Sequence, residues 1–224
     1  MIAGNLQAVR DRIDAACRAA GRDPSTVRLL AVSKTFGADS VAAAHDAGQH
    51  CFGENYIQEG VDKIQALRGR ALEWHCIGPI QSNKTRLVAG HFDWVQSLDR
   101  LKIAERLDAQ RPAHLPPLQV CIQVNTDGGP TKAGVPPAEV APLAAAIRGL
   151  PRLRLRGLMT IPEPAADFAA ACALHARARA LFDSLNAGGL ALDTLSMGMS
   201  ADLDAAIHAG TTMVRVGTAI FGRR

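Results

Sequence analysis

Aromatic side chains are scarce in this chain: one tyrosine and two tryptophans stand among 224 residues. Single-stranded nucleic acid is held by stacking bases on such rings, and duplex binding wants a continuous basic stripe. The net charge is only +4, and the densest basic run, Arg152 to Arg156, alternates with leucine as a strand with one solvated face would. No nucleic-acid partner is expected. The seven histidines show no H-x-x-x-H or Cys/His spacing, so no metal site is expected either. Cysteine is sparse: Cys17, Cys51, Cys76, Cys121 and Cys172 form no C-x-x-C pair and sit mostly in apolar runs. That pattern fits reduced, buried thiols in a cytoplasmic protein. No apolar run reaches the length of a membrane span, and the N-terminus lacks a secretory signal, so neither a membrane nor export is expected.

What the chain does have is a regular alternation. Leu6, Val9, Ile13, Ala16, Cys17 and Ala20 recur at helical spacing over residues 2–20, which predicts an N-terminal helix ending at Gly21. A strand up to Lys34 follows, then helix 38–47, strand 50–53, helix 56–67 and strand 73–77. Helix 82–89, strand 93–98, helix 99–110 and strand 118–125 come next. The pattern closes with helix 137–148, strand 153–161, helix 165–186, strand 192–197, helix 201–208 and strand 212–216. Eight strand-helix units of this length argue for parallel strands with right-handed crossovers, and for closure into a (β/α)8 TIM barrel. An open doubly wound sheet is the alternative. No linker or shift in composition divides the chain, so residues 1–224 are read as a single domain.

The first strand, Leu29-Leu30-Ala31-Val32-Ser33-Lys34-Thr35, is an apolar run that ends on a lysine. If the strand is buried on both faces, Lys34 points into the space above the barrel, where desolvation would free its amine as a nucleophile. The competing reading is a strand-end lysine whose head reaches water.

Barrels carry their functional groups at the carboxyl ends of the strands, and those ends are polar here. They include Phe52-Gly53-Glu54-Asn55-Tyr56 after strand 2, Gly78 to Lys84 after strand 3, and Gln123 and Asn125 on strand 5. The loops after strands 7 and 8 carry Ser196-Met197-Gly198-Met199-Ser200 and Arg215-Val216-Gly217-Thr218. In such barrels these loops often hold a phosphate on backbone N–H groups and a helix N-terminus. Ser200 also reads as an ordinary N-cap. Gly217 would let the backbone approach an anion, and Thr218 adds a hydroxyl. Strand alternation turns Arg215 inward beside Lys34. Either a carboxylate such as Glu54 or Asp202 pairs it, or two cations face a shared anionic ligand. A phosphorylated aldehyde cofactor would satisfy the lysine covalently and leave Arg215 for a ring nitrogen.

The motifs Ala31 to Thr35, Phe52 to Glu59, Trp74 to Lys84, Arg156 to Met159, Leu195 to Ser200 and Val214 to Gly222 together closely resemble the pyridoxal phosphate homeostasis protein family. That family is related to the barrel domain of alanine racemase. The resemblance runs nearly end to end. It implies an alanine racemase-type barrel with an extra N-terminal helix, and pyridoxal 5'-phosphate as the cofactor, held as a Schiff base on Lys34. It further implies phosphate binding near Ser200, Gly217 and Thr218, Arg215 at the pyridine nitrogen, and Asn55 near the cofactor. The sequence departs from the family at Phe36-Gly37, where Lys-Pro is usual, and at Thr131-Lys132-Ala133-Gly134, where Ser-Lys-Ser-Gly is usual.

The resemblance implies a carrier in vitamin B6 homeostasis, a monomer that passes the cofactor to apoenzymes by transient contact and has no robust catalysis of its own. An amino-acid racemase is the alternative. Racemisation needs acid-base groups on both faces of the substrate, and Lys34 supplies one. Tyr56, the sole tyrosine, is expected to pack or cap locally. Lys84 and Lys132 stand in loops on the same face, where either could accept the aldehyde in transit or simply be solvated.

Overall fold

The computed structural model describes residues 1–128 and 133–222. Eight parallel strands close into a barrel in sequence order, β8 pairing with β1. They are β1 (Arg28–Val32), β2 (Cys51–Glu54), β3 (Glu73–Cys76), β4 (Trp94–Leu98), β5 (Leu118–Val124), β6 (Leu153–Thr160), β7 (Thr194–Ser196) and β8 (Met213–Val216). The connecting helices are α2 (Ala38–Asp46), α3 (Ile57–Ala66), α4 (Thr85–His91), α5 (Leu101–Gln110), α6 (Pro137–Arg148), α7 (Phe168–Ala187) and α8 (Leu203–His208). α1 (Ile2–Ala19) precedes the barrel and α9 (Thr218–Phe221) follows it. Among the described residues, no helix is long and apolar enough to cross a membrane.

The expected architecture holds, and the differences at its edges have local causes. α7 starts at Phe168, not 165, because Asp167 caps it, its carboxylate accepting the Ala170 N–H at 2.8 Å. α4 is preceded by a 3₁₀ turn over Ser82–Lys84. α8 begins at Leu203, so Ser200 lies three residues before its first helical residue and does not cap it. The short helix α9, absent from the sequence reading, starts one residue after Gly217.

Strand residues alternate between two environments. Trp74 and Cys76 of β3 face outward into the large core shared with the helices, whereas Trp94, Cys121 and Met159 form a small separate apolar cluster. His75, Gln96, Ser196 and Arg215 are buried polar groups of the interior, beside the apolar Leu30 and Met213. α1 lays Leu6, Val9, Ile13, Ala16 and Cys17 on this scaffold and packs against α2, α8 and α9. It thereby touches the two elements that follow β7 and β8.

Candidate functional site

A cavity of about 670 Å³ opens at the carboxyl ends of the strands, within the size range of small-molecule sites. Lys34, Asn55, Ser200, Arg215, Gly217 and Thr218 all line it. The six residues singled out from the sequence thus share one cavity wall. Phe36, Ile77 and Ile161 supply apolar wall.

Lys34 departs from expectation in one respect. β1 ends at Val32, and Lys34 stands in the turn beyond it with its side chain exposed. The buried, desolvated ammonium inferred from the apolar run is not what the fold produces. Ser33 is the last fully buried residue of the run, and the chain then turns, Thr35 adopting φ 69°, a left-handed conformation costly for a β-branched residue.

A buried ionic network holds that turn. Lys63 on α3 donates to the Ser33 carbonyl at 2.8 Å, to Glu54 Oε1 at 2.7 Å and to Glu59 Oε1 at 2.6 Å. Ser33 Oγ donates to Glu54 Oε1 at 2.5 Å, and the Thr35 N–H donates to Glu59 Oε1 at 2.6 Å. Burial pushes the Glu54 carboxyl upward, against the opposing hydrogen bonds from Lys63 and Ser33. The sequence reading missed Lys63. Its spacing from Glu59 is that of a common surface pair, and only the fold makes the pair internal.

Arg215 is buried, and neither proposed carboxylate pairs with it. Glu54 belongs to Lys63, and Asp202 Oδ2 accepts from His175 Nε2 at 2.8 Å. Arg215 instead donates from Nη1 to Ser196 Oγ and from Nη2 to the Thr160 carbonyl, each at 2.8 Å. Burial pulls its guanidinium down to about 10, with Asp202 and Cys121 opposing, so it stays cationic at neutral pH. A guanidinium has five N–H donors, and two of them meet acceptors in these bonds. A buried cation with neutral partners, facing a cavity, suits a ligand that presents an acceptor.

The loops after β7 and β8 are tied from below by α1. Arg12 donates to the Ser200 carbonyl at 2.8 Å and pairs with Asp204 on α8, while Asn5 donates to the Ile220 carbonyl at 3.0 Å. Asp202 Oδ1 accepts the Met199 N–H at 2.7 Å and so shapes the Ser200 turn. Gly217 approaches β1 so closely that a Cβ would lie 3.0 Å from the Val32 carbonyl oxygen. A side chain there would require the β1 backbone to give way by a few tenths of an ångström.

Asn55 follows β2 and is fixed from β3: a Cβ at Gly78 would fall 2.1 Å from the Asn55 carbonyl oxygen. Tyr56 caps α3 only through its backbone, its carbonyl accepting the Gly60 N–H at 2.9 Å; its side chain makes no cap, is 58% exposed and does not line the cavity. Lys84 ends the 3₁₀ turn, half-buried and away from the cavity wall. Lys132 lies outside the described residues.

Comparison with known proteins bears directly on this geometry. The family model described as "Alanine racemase, N-terminal domain" matches residues 4–224. A Pseudomonas aeruginosa protein named pyridoxal phosphate homeostasis protein is 59% identical, covering 100% of this chain and 96% of its own length. This chain belongs to the pyridoxal phosphate homeostasis protein family. An Escherichia coli K12 member of the same name is 56% identical, covering 100% of this chain and 97% of its own. Among solved structures, PipY of Synechococcus elongatus with pyridoxal phosphate bound is 37% identical, with a TM-score of 0.85, covering 99% of this chain and 100% of its own. Alanine racemase of Clostridium difficile shares the fold at 16% identity and a TM-score of 0.75, this chain matching 56% of its length.

Proposed function

We propose that this chain binds pyridoxal 5'-phosphate reversibly as a Schiff base on Lys34 and acts in intracellular vitamin B6 homeostasis and delivery, without robust catalysis of its own. The observation that carries this reading is one cavity shared by an exposed amine, Lys34, and a buried guanidinium without a carboxylate, Arg215. Family membership and the cofactor-bound PipY relative support it.

Bound here, the cofactor would supply an electrophilic aldehyde, and the exposed Lys34 amine is the nucleophile on the cavity wall that would hold it. Ser200, Gly217 and Thr218 would hold the phosphate, Asn55 would stand beside the ring, and Arg215 would offer an N–H to the ring nitrogen. A group that stays cationic there keeps the ring from being protonated and weakens the electron sink that transamination needs.

The racemase alternative requires a second acid-base group. Among the described residues lining the cavity, Lys34 and Arg215 are the only ionisable ones, and Tyr56 is absent from its wall. A carrier needs no second proton shuttle. In this reading residues 1–224 form one domain, and the chain is a cytoplasmic monomer that meets cofactor-requiring apoenzymes by transient contact.

The test is the visible absorbance of the purified chain with added pyridoxal 5'-phosphate. A yellow protein that Lys34→Ala bleaches, with a borohydride-fixed adduct on Lys34, is expected; a colourless protein without an adduct sinks the reading. Loss of α-deuterium from L- or D-amino acids at an enzyme-like rate would defeat the carrier in favour of the racemase.

A further inference from the structure

The barrel interior holds a hydrogen-bonded chain that runs from one end to the other. Arg215 Nη1 donates to Ser196 Oγ at 2.8 Å, and Ser196 Oγ donates to Gln96 Oε1 at 2.7 Å. Gln96 Nε2 lies 2.9 Å from His75 Nδ1, and His75 Nε2 lies 2.8 Å from Glu73 Oε1. Glu73 also accepts from Arg28 at 2.8 Å. Glu73 opens β3 and Arg215 sits near the end of β8. In a parallel barrel those positions lie at opposite ends.

Every bond in the chain points the same way. Arginine can only donate, so Ser196 accepts from it and passes its own proton to Gln96 Oε1. That fixes the Gln96 amide with its NH₂ toward His75, and Nδ1 must then be the bare acceptor. His75 therefore carries its proton on Nε2 and gives it to Glu73, an acceptor only. The ring is fully buried and stacked 5.0 Å from Trp94. The groups that act on it are Glu73, Arg28 and Asp93, and burial outweighs the two carboxylates and holds its basicity down. Protonating Nδ1 would turn Gln96 over and strand the Ser196 hydroxyl without an acceptor, loosening one of the two tethers of Arg215.

We propose that Glu73, His75, Gln96 and Ser196 are positioning residues that orient the Arg215 guanidinium from the far end of the barrel, the Glu73 carboxylate serving as its remote counter-charge. The inference rests on the cofactor reading only for its consequence at the ring nitrogen. The one-way chain belongs to the protein alone.

Two measurements test it. In the cofactor-free chain, ¹⁵N spectra of the imidazoles should show His75 as the Nε2–H tautomer between pH 5.5 and 8, and Gln96→Glu should drive it to the doubly protonated ring. An Nδ1–H tautomer, or ordinary titration of His75 in this range, overturns the proposal. In the loaded chain, Gln96→Leu should weaken cofactor binding about tenfold, the worth of one charge-assisted hydrogen bond, and shift the visible band. Glu73→Gln keeps an acceptor but removes the charge, and should move the band in the same direction from the opposite end. An unchanged band and an affinity within about twofold of wild type in both variants refute the remote coupling. Failure of the wild-type chain to bind the cofactor would defeat the proposed function, while the His75 tautomer would still decide the chain.

Discussion

Lys63 and Thr35 share one carboxylate oxygen: Glu59 Oε1 lies 2.6 Å from the Lys63 ammonium and 2.6 Å from the Thr35 backbone nitrogen. Thr35 follows Lys34 directly, so a partly buried ion pair on α3 sets the direction in which the exposed amine leaves β1. The position of the Lys34 amine is thus governed by a residue that does not line the cavity.

The first prediction concerns that network. Lys63→Met removes the cation that satisfies Glu54, whose other oxygen, Oε2, already lacks a partner. Stranding a buried carboxylate costs about 3–5 kcal/mol, readable as a lower urea midpoint. Adding Glu54→Gln should recover part of the loss, because the coupling is direct. Cofactor affinity should stay reduced in the double variant, since the Ser33 carbonyl has lost its donor and Glu59, which holds the Thr35 N–H, has lost the cation that fixes it.

Arg215→Met should separate function from stability. The buried guanidinium has neutral partners only, so replacing it with an apolar chain of similar volume removes a desolvation cost while leaving the Ser196 hydroxyl and the Thr160 carbonyl each one bond poorer. The two effects oppose each other, and a change in stability within about 1–2 kcal/mol is expected. Cofactor binding should fall far more. An equally weakened fold and site would mean that Arg215 is a structural residue.

Gly78→Ala tests the placement of Asn55. The added methyl would sit 2.1 Å from the Asn55 carbonyl oxygen, so the β2 and β3 ends must move apart. Overpacking of this kind costs about 1–3 kcal/mol. A lower melting temperature with a weakened cofactor spectrum is expected. Gly90→Ala, in a helix with open space around that position, is the control that should do neither.

Acid should act through Glu73. Burial raises its carboxyl, but His75 and Arg28 outweigh that and hold it at about 2 against an ordinary 4.5. The unfolded chain therefore binds the proton first as pH falls, and the stability Glu73 contributes is complete above about 4.5 and lost toward 2. His75, held below its ordinary 6.5, contributes with the same sign from about 6.5 downward. Glu54 and Asp93, raised by burial, act in the opposite sense. The difference in urea midpoint between wild type and Glu73→Gln isolates the first term, and it should shrink as pH drops from 5 to 3.

The alternation of apolar runs and helical spacings by itself determined a parallel α/β fold and favoured a closed barrel over an open sheet, because burial on both faces and right-handed crossovers leave few ways to arrange eight such units. The pairing of β8 with β1 decided closure. The same alternation put Lys34, Asn55, Ser200, Arg215, Gly217 and Thr218 at one end, since a parallel barrel brings all its strand ends together. The tertiary structure alone decided how each is held. Whether Lys34 is buried depends on where β1 stops and on Lys63, a residue 29 positions away that reads as a surface helix lysine until Glu54 and Glu59 close over it. Arg215 meets Thr160 across 55 residues, and Ser196 meets Gln96 across 100. Such contacts follow from strand register and barrel diameter, which local spacing does not encode. The sequence thus placed the groups that face the cavity, and the fold supplied the polar interior that aims them.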